Sequence, residues 1–265
     1  MNEQSITVIT GASSGIGLAA CKLFTEKGDK VYGISRRPCP LKEVRSVCAD
    51  ITDEDAVTEA FAKIAAEAGK IDVLISNAGF GISGAVEFTR ISEAKRQFDV
   101  NVFGTMNCVK AVLPYMRKAK KGHIVVTSSV AGLISIPFQA YYSASKAALL
   151  SLVLATANEV RPYGIKIAAV MPGDIKTNFT AERTKIEEGS EDYKTLKKSV
   201  ATMEKDEIHG MQPIAAAKRM YKLSVKKSPK PLSSVGFQYR FFCTLDKFLP
   251  VRFSNWVVFK LYADK

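Results

Sequence analysis

Residues 6–17 read Ile-Thr-Val-Ile-Thr-Gly-Ala-Ser-Ser-Gly-Ile-Gly, a short β-branched apolar run that leads into three glycines. The pattern predicts a buried strand, a tight turn and the first turn of a helix. Such a turn directs backbone N–H groups and a helix N-terminus at an anion, and glycine lets the main chain approach a pyrophosphate. The strand before the turn and the helix after it supply the context that a dinucleotide site requires. We therefore expect a dinucleotide to be bound by Gly11, Ser13, Ser14, Gly15, Ile16 and Gly17.

The rest of the chain alternates short apolar β-rich runs with helical patterns. This alternation predicts an α/β fold with a doubly wound parallel sheet and helices on both faces. The nearly continuous apolar character of the strands fits a sheet that is covered on both sides. Strands are predicted at residues 6–10, 30–35, 46–49, 73–77, 123–128, 166–171 and 232–235. Helices are predicted at residues 15–27, 53–68, 92–119, 141–163 and 215–223.

Length and composition limit the class of protein. The 265 residues suit a single domain over residues 1–265, and 47% hydrophobic with 24% charged residues is ordinary for a globular chain. No apolar run reaches the length of about 18 residues that a spanning helix needs, and the N-terminus has no secretory pattern. Five scattered cysteines without CxxC spacing fit a reducing compartment, so we expect a cytoplasmic protein. Two isolated histidines give no basis for a metal site or a Ser-His-Asp hydrolase.

The end of the second predicted strand indicates which dinucleotide is bound. Ser35, Arg36 and Arg37 lie where an NAD site usually offers an acidic residue to the ribose hydroxyls. A carboxylate would repel a 2′-phosphate, whereas a guanidinium pairs with it in a forked, charge-assisted contact. These residues therefore predict NADP(H) as the cofactor. The alternative is that both arginines are solvated loop charges.

Several motifs make the chain resemble the short-chain dehydrogenase/reductase family over about residues 5–235. Residues 10–17 match its TGxxxGxG motif, and residues 76–79 match its NNAG motif with Ser in place of the first Asn. Residues 142–146 match YxxxK, Ser129 stands thirteen residues before that tyrosine as the family's serine does, and residues 172–173 match its PG motif. The resemblance implies a Rossmann-type sheet with strand order 3-2-1-4-5-6-7.

By the same resemblance, further residues would contact the cofactor. Asp50 would contact the adenine, although it could instead cap the helix predicted from residue 53. Lys146 would hold the nicotinamide ribose, and Ile175 and Thr177 would contact the nicotinamide amide. The remaining cofactor contacts that the resemblance implies are Ile51, Asn77, Ala78, Gly79, Tyr142, Pro172 and Gly173.

The residue types of the YxxxK motif suit proton transfer. Tyr142 and Lys146 are four residues apart and share one face of a helix, so a nearby cation would lower the pKa of the phenol from its usual value of ~10. Tyr142 could then act as general acid or base, and Ser129 would hydrogen-bond the substrate oxygen. Neighbouring Tyr141 has no lysine at i+4, and the thirteen-residue spacing selects Ser129 over Ser128. The resemblance implies that Asn101 seats a water that passes protons to Lys146.

The substrate side is predicted to be apolar. The candidate cleft residues are Phe80, Ile82, Val86, Leu133, Ile134, Ile136, Pro137 and Phe138, and such a cleft suits a hydrophobic ketone or secondary alcohol. Each of these residues could equally be part of the core. Residues 177–211 are charged and weakly patterned, and they resemble the family's substrate lid.

The C-terminal tail, residues 236–265, is basic and aromatic. The formal net charge is +12, and residues 213–265 hold eleven Lys and Arg against two Asp and Glu. Phe241, Phe242, Leu245, Phe248 and Leu249 have the spacing of one helix face, which Pro250 ends. The tail could pack over the substrate mouth or against a subunit, or it could contact a membrane surface peripherally. Similar tails occur in the hydroxysteroid and retinol dehydrogenase branches of the family.

Together these observations predict an NADP(H)-dependent oxidoreductase that interconverts a ketone and a secondary alcohol on a steroid-like or lipid-like substrate. Two rival hypotheses are a dinucleotide sensor without turnover and a membrane-surface protein whose tail is its main functional part. No nucleic-acid motif is visible in the sequence. The long helices at residues 92–119 and 141–163 resemble those through which the family forms homodimers and homotetramers.

Overall fold

The computed structural model describes residues 4–264, so residues 1–3 and 265, at the ends of the predicted domain and tail, lie outside the described residues. Seven parallel strands form one sheet in the order β3-β2-β1-β4-β6-β7-β9, and two short strands, β5 and β8, pair separately. The strands are β1 (Ile6–Thr10), β2 (Lys30–Ser35), β3 (Arg45–Cys48), β4 (Val73–Ser76), β5 (Ile82–Ser83), β6 (Gly122–Thr127), β7 (Ile165–Met171), β8 (Thr184–Lys185) and β9 (Leu232–Ser234). With β5 and β8 set aside, this is the predicted order 3-2-1-4-5-6-7, and the prediction of a doubly wound parallel sheet is confirmed.

Helices cover both faces of the sheet. The α-helices are α1 (Gly15–Glu26), α2 (Glu54–Ala68), α3 (Ile91–Phe98), α4 (Gly104–Ala119), α5 (Ala140–Val160), α6 (Phe179–Glu182), α7 (Leu196–Ile208), α8 (Pro213–Ser224), α9 (Phe237–Leu245) and α10 (Val251–Tyr262). Helices α2, α4 and α5 contribute to the core on one face, where Phe61, Met116 and Leu149 are buried. Helices α1 and α8 pack together on the other face around Phe24 and Met220. The inner strands β1 and β4 are buried along their whole length, and their residues are mostly apolar, as a sheet covered on both faces requires.

The predicted helix at residues 92–119 is three consecutive segments. Helix α3 ends at Phe98, residues 99–103 form a π-helical turn, and α4 begins at Gly104. Apolar periodicity does not report a π turn, because that turn adds one residue without ending the helix. The predicted helix at 141–163 ends as α-helix at Val160 and continues in a 3₁₀ turn. Half of the predicted strand ends shift by one residue.

Local signals set the ends of α2. The Asp53 carboxylate accepts a hydrogen bond of 3.0 Å from the Ala56 N–H and caps the helix, and Gly69 ends the helix with a φ of 77°. The Asp50 carboxylate instead accepts hydrogen bonds from the N–H and the hydroxyl of Thr52. The alternative in which Asp50 caps this helix is therefore wrong.

The lid segment at residues 177–211 contains the short helix α6, the short strand β8 and the longer helix α7. Strand β8 pairs in parallel with β5, which the sequence pattern did not predict because each strand is only two residues long. Helices α6 and α7 account for the partly helical character that was expected. The tail forms α9 and α10, but α9 ends at Leu245, so Phe248 and Leu249 lie beyond the helix on which the spacing placed them.

Burial of apolar side chains from α2 contributes to the free energy of unfolding, and this contribution can be measured. Phe61 is fully buried against the sheet, so we expect Phe61→Ala to lower the free energy of unfolding by about 3–5 kcal/mol. Phe237→Ala is the matched control, because this side chain is 81% exposed and its loss should change stability by less than ~0.5 kcal/mol. Chemical denaturation measures both values. Equal effects of the two changes would contradict this account of the core.

Candidate active site

The glycine turn after β1 brings two main-chain segments into direct contact. Gly11 has a φ of +70°, and a Cβ at Gly17 would lie 2.1 Å from the Gly11 carbonyl oxygen. Only glycine at position 17 allows α1 to begin this close to the strand. The Thr10 hydroxyl accepts hydrogen bonds from the Asn77 N–H (2.9 Å) and the Ala78 N–H (3.1 Å), which fastens the turn to the end of β4.

A cavity of about 1230 Å³ runs along the carboxyl ends of the parallel strands, where ligands bind in open α/β sheets. All of the predicted catalytic and cofactor-contacting residues line it except Gly17 and Asn101. Those that do are Gly11, Ser13, Ser14, Gly15, Ile16, Ser35, Arg36, Arg37, Asp50, Ile51, Asn77, Ala78, Gly79, Ser129, Tyr142, Lys146, Pro172, Gly173, Ile175 and Thr177. Gly17 lies beneath the turn, against Gly11 and Asn77.

One end of the cavity carries the two arginines that follow β2. Arg36 and Arg37 are both exposed, and Arg37 lies 3.8 Å from the Glu182 carboxylate of the lid. Hydrogen bonds from Thr52 hold the pKa of the Asp50 carboxyl below its usual value, and the nearby Arg36 guanidinium adds to the effect. Arg36 therefore lies beside an ionised carboxylate and is open to a ligand in the cavity.

The other end of the cavity brings Ser129 and Tyr142 together. The Ser129 hydroxyl lies within hydrogen-bonding reach of Tyr142. It donates to the Pro172 carbonyl oxygen at 3.4 Å and accepts from the Ala131 N–H at 3.1 Å. The Ser128 hydroxyl instead donates to the Lys146 carbonyl oxygen at 2.7 Å and is buried. Adjacent residues of an extended segment point to opposite sides, so the structure brings Ser129 and not Ser128 to the tyrosine. Tyr141 does not line the cavity.

Lys146 is a buried amine beside this pair. Its Nζ donates to the Thr127 carbonyl oxygen at 3.0 Å and lies 5.7 Å from the centroid of the Tyr142 ring. Burial disfavours the charged amine and lowers its pKa to about 8. Near neutral pH the amine is still mostly protonated, and a modest change in its surroundings shifts that balance.

The expected depression of the Tyr142 pKa is absent in the protein alone. Burial is the largest influence and raises the pKa of the phenol to about 12. The hydrogen bond with Ser129 lowers it, the Glu207 and Asp174 carboxylates raise it, and the Arg183 guanidinium lowers it. The sequence argument counted the cation at i+4 but omitted desolvation, which outweighs a lysine that is itself buried. Tyr142 is therefore a neutral phenol over the physiological pH range.

Asn101 occupies the π-helical turn and is fully buried. Its Oδ1 accepts from the Phe80 N–H at 3.0 Å, and its Nδ2 donates to the Phe80 carbonyl at 3.0 Å and to the Ser145 hydroxyl at 3.1 Å. A Cβ at Gly79 would lie 3.0 Å from the Asn101 Oδ1 and 3.4 Å from the Lys146 Nζ. Asn101 thus fixes the loop after β4 close to Lys146, and its role in seating a water remains a prediction.

The lid contributes charged groups that the sequence did not single out. The Arg183 side chain is fully buried, forms an ion pair with Glu207, and lies over the Phe179 ring. The Thr180 hydroxyl donates to the other Glu207 oxygen at 2.6 Å, and the Phe179 ring packs against Tyr142 with centroids 5.7 Å apart. The lid is therefore anchored around the tyrosine by contacts between residues more than twenty positions apart.

The C-terminal tail closes the far side of the cavity. The Tyr239 hydroxyl donates to the Asp174 carboxylate at 2.5 Å, and the Tyr239 ring lies so close to Gly173 that a Cβ there would be 2.3 Å away. Further lining residues from the tail are Gln238, Phe242, Leu245, Asp246, Leu249, Phe253, Ser254, Val257, Val258, Leu261 and Tyr262. Packing of the tail over the substrate mouth, one of the alternatives from the sequence, is thus what the structure shows. Basic composition and aromatic spacing could not predict the Tyr239–Asp174 contact, because the two residues are 65 positions apart.

The apolar cleft is only partly composed of the predicted residues. Phe80, Ile134 and Ile136 line the cavity. The other five candidates do not: Ile82 is buried in β5, Val86 and Leu133 are exposed, and Pro137 and Phe138 lie outside the lining. The tail and the lid supply the apolar surface in their place. No cluster of metal-ligating side chains occurs within residues 4–264, and over the same range no helix combines the length and apolarity that crossing a membrane requires.

Comparison with known proteins identifies the family of the chain. Residues 5–188 match the short chain dehydrogenase family. A 3-ketodihydrosphingosine reductase from Bacteroides thetaiotaomicron is 41% identical over 238 residues, which is 88% of each chain.

Two solved structures share the fold over most of both chains. A short-chain dehydrogenase from Streptomyces avermitilis superimposes with a TM-score of 0.83 at 29% identity and covers 94% of each chain. ElxO with bound NADP superimposes with a TM-score of 0.75 at 27% identity, over 90% of this chain and all of the other. The glycine turn, the clustered Ser129, Tyr142 and Lys146, and the family match together show that the chain belongs to the short-chain dehydrogenase/reductase family of oxidoreductases.

Proposed function

We propose that this oxidoreductase interconverts a hydrophobic ketone and a secondary alcohol with NADP(H), and that reduction is its physiological direction. The observation that carries the proposal is that Ser129, Tyr142 and Lys146 line the same cavity as the glycine turn. The cavity, at about 1230 Å³, exceeds the ~300–1,000 Å³ of a typical small-ligand pocket, so it offers room for a dinucleotide and a substrate.

The residues present fit the cofactor. Gly11 and Gly15 both have positive φ, which glycine adopts without strain, and α1 begins against the Gly11 carbonyl, so the turn brings main chain and the helix N-terminus to the cavity. In this proposal the turn binds the pyrophosphate, Arg36 binds the 2′-phosphate, Asp50 and Ile51 contact the adenine, and Lys146 holds the nicotinamide ribose. The cofactor supplies the hydride, and the protein supplies position and a proton.

Tyr142 supplies the proton in the direction of reduction. A phenol whose pKa is raised to about 12 is protonated at neutral pH, so it can donate to a carbonyl oxygen that gains negative charge. Ser129 donates a second hydrogen bond to the same oxygen, which stabilises the developing alkoxide. Protonated Lys146, close to the ring, stabilises the phenolate that remains. In the reverse direction the phenolate accepts the alcohol proton.

The proposed substrate carries a long apolar chain. Apolar side chains of the tail, including Phe242, Leu249 and Val257, line the cavity beyond the Ser129–Tyr142 pair. They offer burial to an alkyl chain or a fused apolar ring system. The similar protein from B. thetaiotaomicron is named a 3-ketodihydrosphingosine reductase, and that name favours a lipid-like over a steroid-like substrate.

We also propose a homodimer or homotetramer. Phe103, at the end of the π-helical turn, is 58% exposed, and Leu154 on α5 is 42% exposed. These elements contact each other in the monomer, so their exposed apolar side chains form a surface that a second subunit could cover.

The first prediction about function distinguishes an enzyme from a sensor without turnover. Tyr142→Phe removes the proton donor, so turnover of a long-chain ketone should fall by about 10²–10⁴-fold while NADPH binding is kept. Nicotinamide absorbance measures turnover, and quenching of protein fluorescence measures binding. Tyr141→Phe is the matched control and should retain full turnover, because Tyr141 does not line the cavity. An unchanged rate in Tyr142→Phe would favour the sensor hypothesis or a different proton donor.

The second prediction concerns the 2′-phosphate. Loss of a charge-assisted contact worth ~1.5–3 kcal/mol should weaken NADPH binding in Arg36→Ala by about 10–100-fold and leave NADH binding unchanged. Arg90→Ala is the control, since Arg90 pairs with Glu93 outside the cavity. If Arg36→Ala weakens both cofactors equally, or if the native protein prefers NADH, the assignment of NADP(H) is wrong.

The third prediction concerns assembly. Light scattering during size-exclusion chromatography should show two or four copies of the native chain. The Phe103→Glu/Leu154→Glu variant should elute as a monomer, because it places charges on the surface that subunits would bury. A monomeric native protein would contradict the proposal.

A further inference from the structure

The two tail helices carry an apolar face that no described part of the chain covers. On α9 and the turn after it, Phe237, Phe241 and Phe248 are exposed, and Phe237 and Phe248 are each 81% exposed. On α10, Val251 is 84% exposed, and Trp256 is exposed and stacked on Phe253 with ring centroids 5.9 Å apart. So many exposed large apolar residues in one segment of a globular protein indicate an interaction site. The exposed apolar residues of the tail that do not line the cavity, Phe237, Phe241, Phe248, Val251, Trp256 and Phe259, are called the tail face below.

The tail face is separate from the side of the helices that packs on the body. On α10, Ser254, Val258 and Tyr262 recur every four residues and turn towards the cavity. Trp256 and Phe259 do not line the cavity and stay exposed. Each helix therefore uses one side for the fold and leaves an aromatic side unused, so the exposed aromatics are not a requirement of the fold.

Positive charge surrounds the tail face. Arg240, Lys247, Arg252 and Lys260 are exposed between the aromatic residues. Lys260 pairs with Asp264, whereas Arg240, Lys247 and Arg252 form no ion pair within the described part of the chain. A second copy of the same face would bring like charges together, whereas an anionic surface would neutralise them. Aromatic residues with Lys and Arg are the composition of helices that lie in a bilayer interface.

The cavity opens beside this face. Phe242, Leu245, Phe253 and Leu261 line the cavity and are also exposed, so they form a rim between its interior and the tail face. An apolar ligand could pass over this rim without crossing a polar surface. For a substrate with a long alkyl chain, the alternative route through water would expose each methylene to solvent, which is unfavourable.

We propose that α9 and α10 dock on an anionic lipid bilayer through the tail face, and that the substrate enters the cavity from the lipid over the rim. The docking step is inferred from the exposed residues of the tail alone, whereas the entry step rests on the function proposed above. In this arrangement the aromatic residues insert at the level of the headgroups and the basic residues contact lipid phosphates.

Trp256 makes the docking step directly measurable. It is the one tryptophan in the sequence, so intrinsic fluorescence reports on the tail face of the native protein. Vesicles that mix phosphatidylcholine with phosphatidylglycerol should shift its emission to the blue, and brominated acyl chains should quench it. Vesicles of phosphatidylcholine alone should bind at least tenfold more weakly, and high salt should reduce the binding to the anionic vesicles.

Matched variants test which residues carry the binding. Arg240→Glu/Lys247→Glu/Arg252→Glu should weaken binding to anionic vesicles at least tenfold in a sedimentation assay. Lys22→Glu/Lys63→Glu/Lys118→Glu makes the same change in net charge at exposed positions of the body and should have less than a threefold effect. Phe237→Ser/Phe248→Ser should also weaken binding, whereas Ile91→Ser/Val225→Ser, at exposed positions outside the tail, should not.

Three outcomes would overturn docking. One is an unchanged Trp256 emission with anionic vesicles, and another is equal binding by the two charge-reversal variants. The third is an emission shift that follows protein concentration without lipid, because a second copy would then cover the tail face.

A turnover assay tests the entry step separately. The tail charge-reversal variant should lose at least fivefold of its turnover with a vesicle-embedded long-chain ketone and keep its turnover with a water-soluble short-chain ketone. Equal losses with both ketones would overturn entry from the lipid. Vesicle binding by a native protein that reduces no ketone would refute the proposed reaction and the entry step while docking stands.

Discussion

The contact between Gly11 and Gly17 is the constraint on which the site depends, because it sets how closely α1 approaches the end of β1. From this turn a line of hydrogen bonds crosses the carboxyl edge of the sheet. Thr10 holds the backbone of Asn77, and the Thr127 hydroxyl reaches the Asn77 side chain at 3.4 Å. The Thr127 carbonyl then accepts from the Lys146 amine. The phosphate-binding end and the proton-transfer end of the cavity are therefore positioned by one polar network across β1, β4 and β6.

The same edge of the sheet carries a cost in stability. Burial lowers the pKa of Lys146 to about 8, so between that pH and its unfolded pKa of ~10.4 the folded chain binds fewer protons than the unfolded chain. The contribution of this lysine to stability therefore rises with pH across that window, and its full penalty is present below it. Groups with strongly shifted pKa values in a cleft are typical of functional sites. A buried amine that lowers stability at neutral pH is better explained by a role in function than by a role in folding. Burial also raises the pKa of the Tyr142 phenol to about 12, which keeps this group protonated and uncharged at neutral pH.

The lid and the tail complete the site from outside the seven-stranded sheet. Arg183 and Glu207 form an ion pair inside the lid, next to Tyr142, and Tyr239 ties α9 to Asp174 beside the PG turn. Both contacts place residues from late in the chain against the end of the cavity where the substrate would bind. A Rossmann-type core determines where a dinucleotide binds, whereas these additions determine what else enters the cavity. The tail therefore serves two surfaces at once, the wall of the cavity and the exposed aromatic face.

The sequence by itself predicted the parallel sheet, the glycine turn and the Ser129–Tyr142 end of the cavity, because those features depend on short-range signals, and the family resemblance supplied the strand order. A glycine turn, a strand of β-branched residues, an Asp53 cap and a Tyr142–Lys146 spacing each act within a few residues. Tertiary structure alone decided the π turn at Asn101, the pairing of β5 with β8, the choice of Tyr239 as partner for Asp174, and the neutral state of Tyr142. These features depend on which distant groups are brought together and on how far water is excluded from them. Packing sets both, and no local pattern of residue types encodes them.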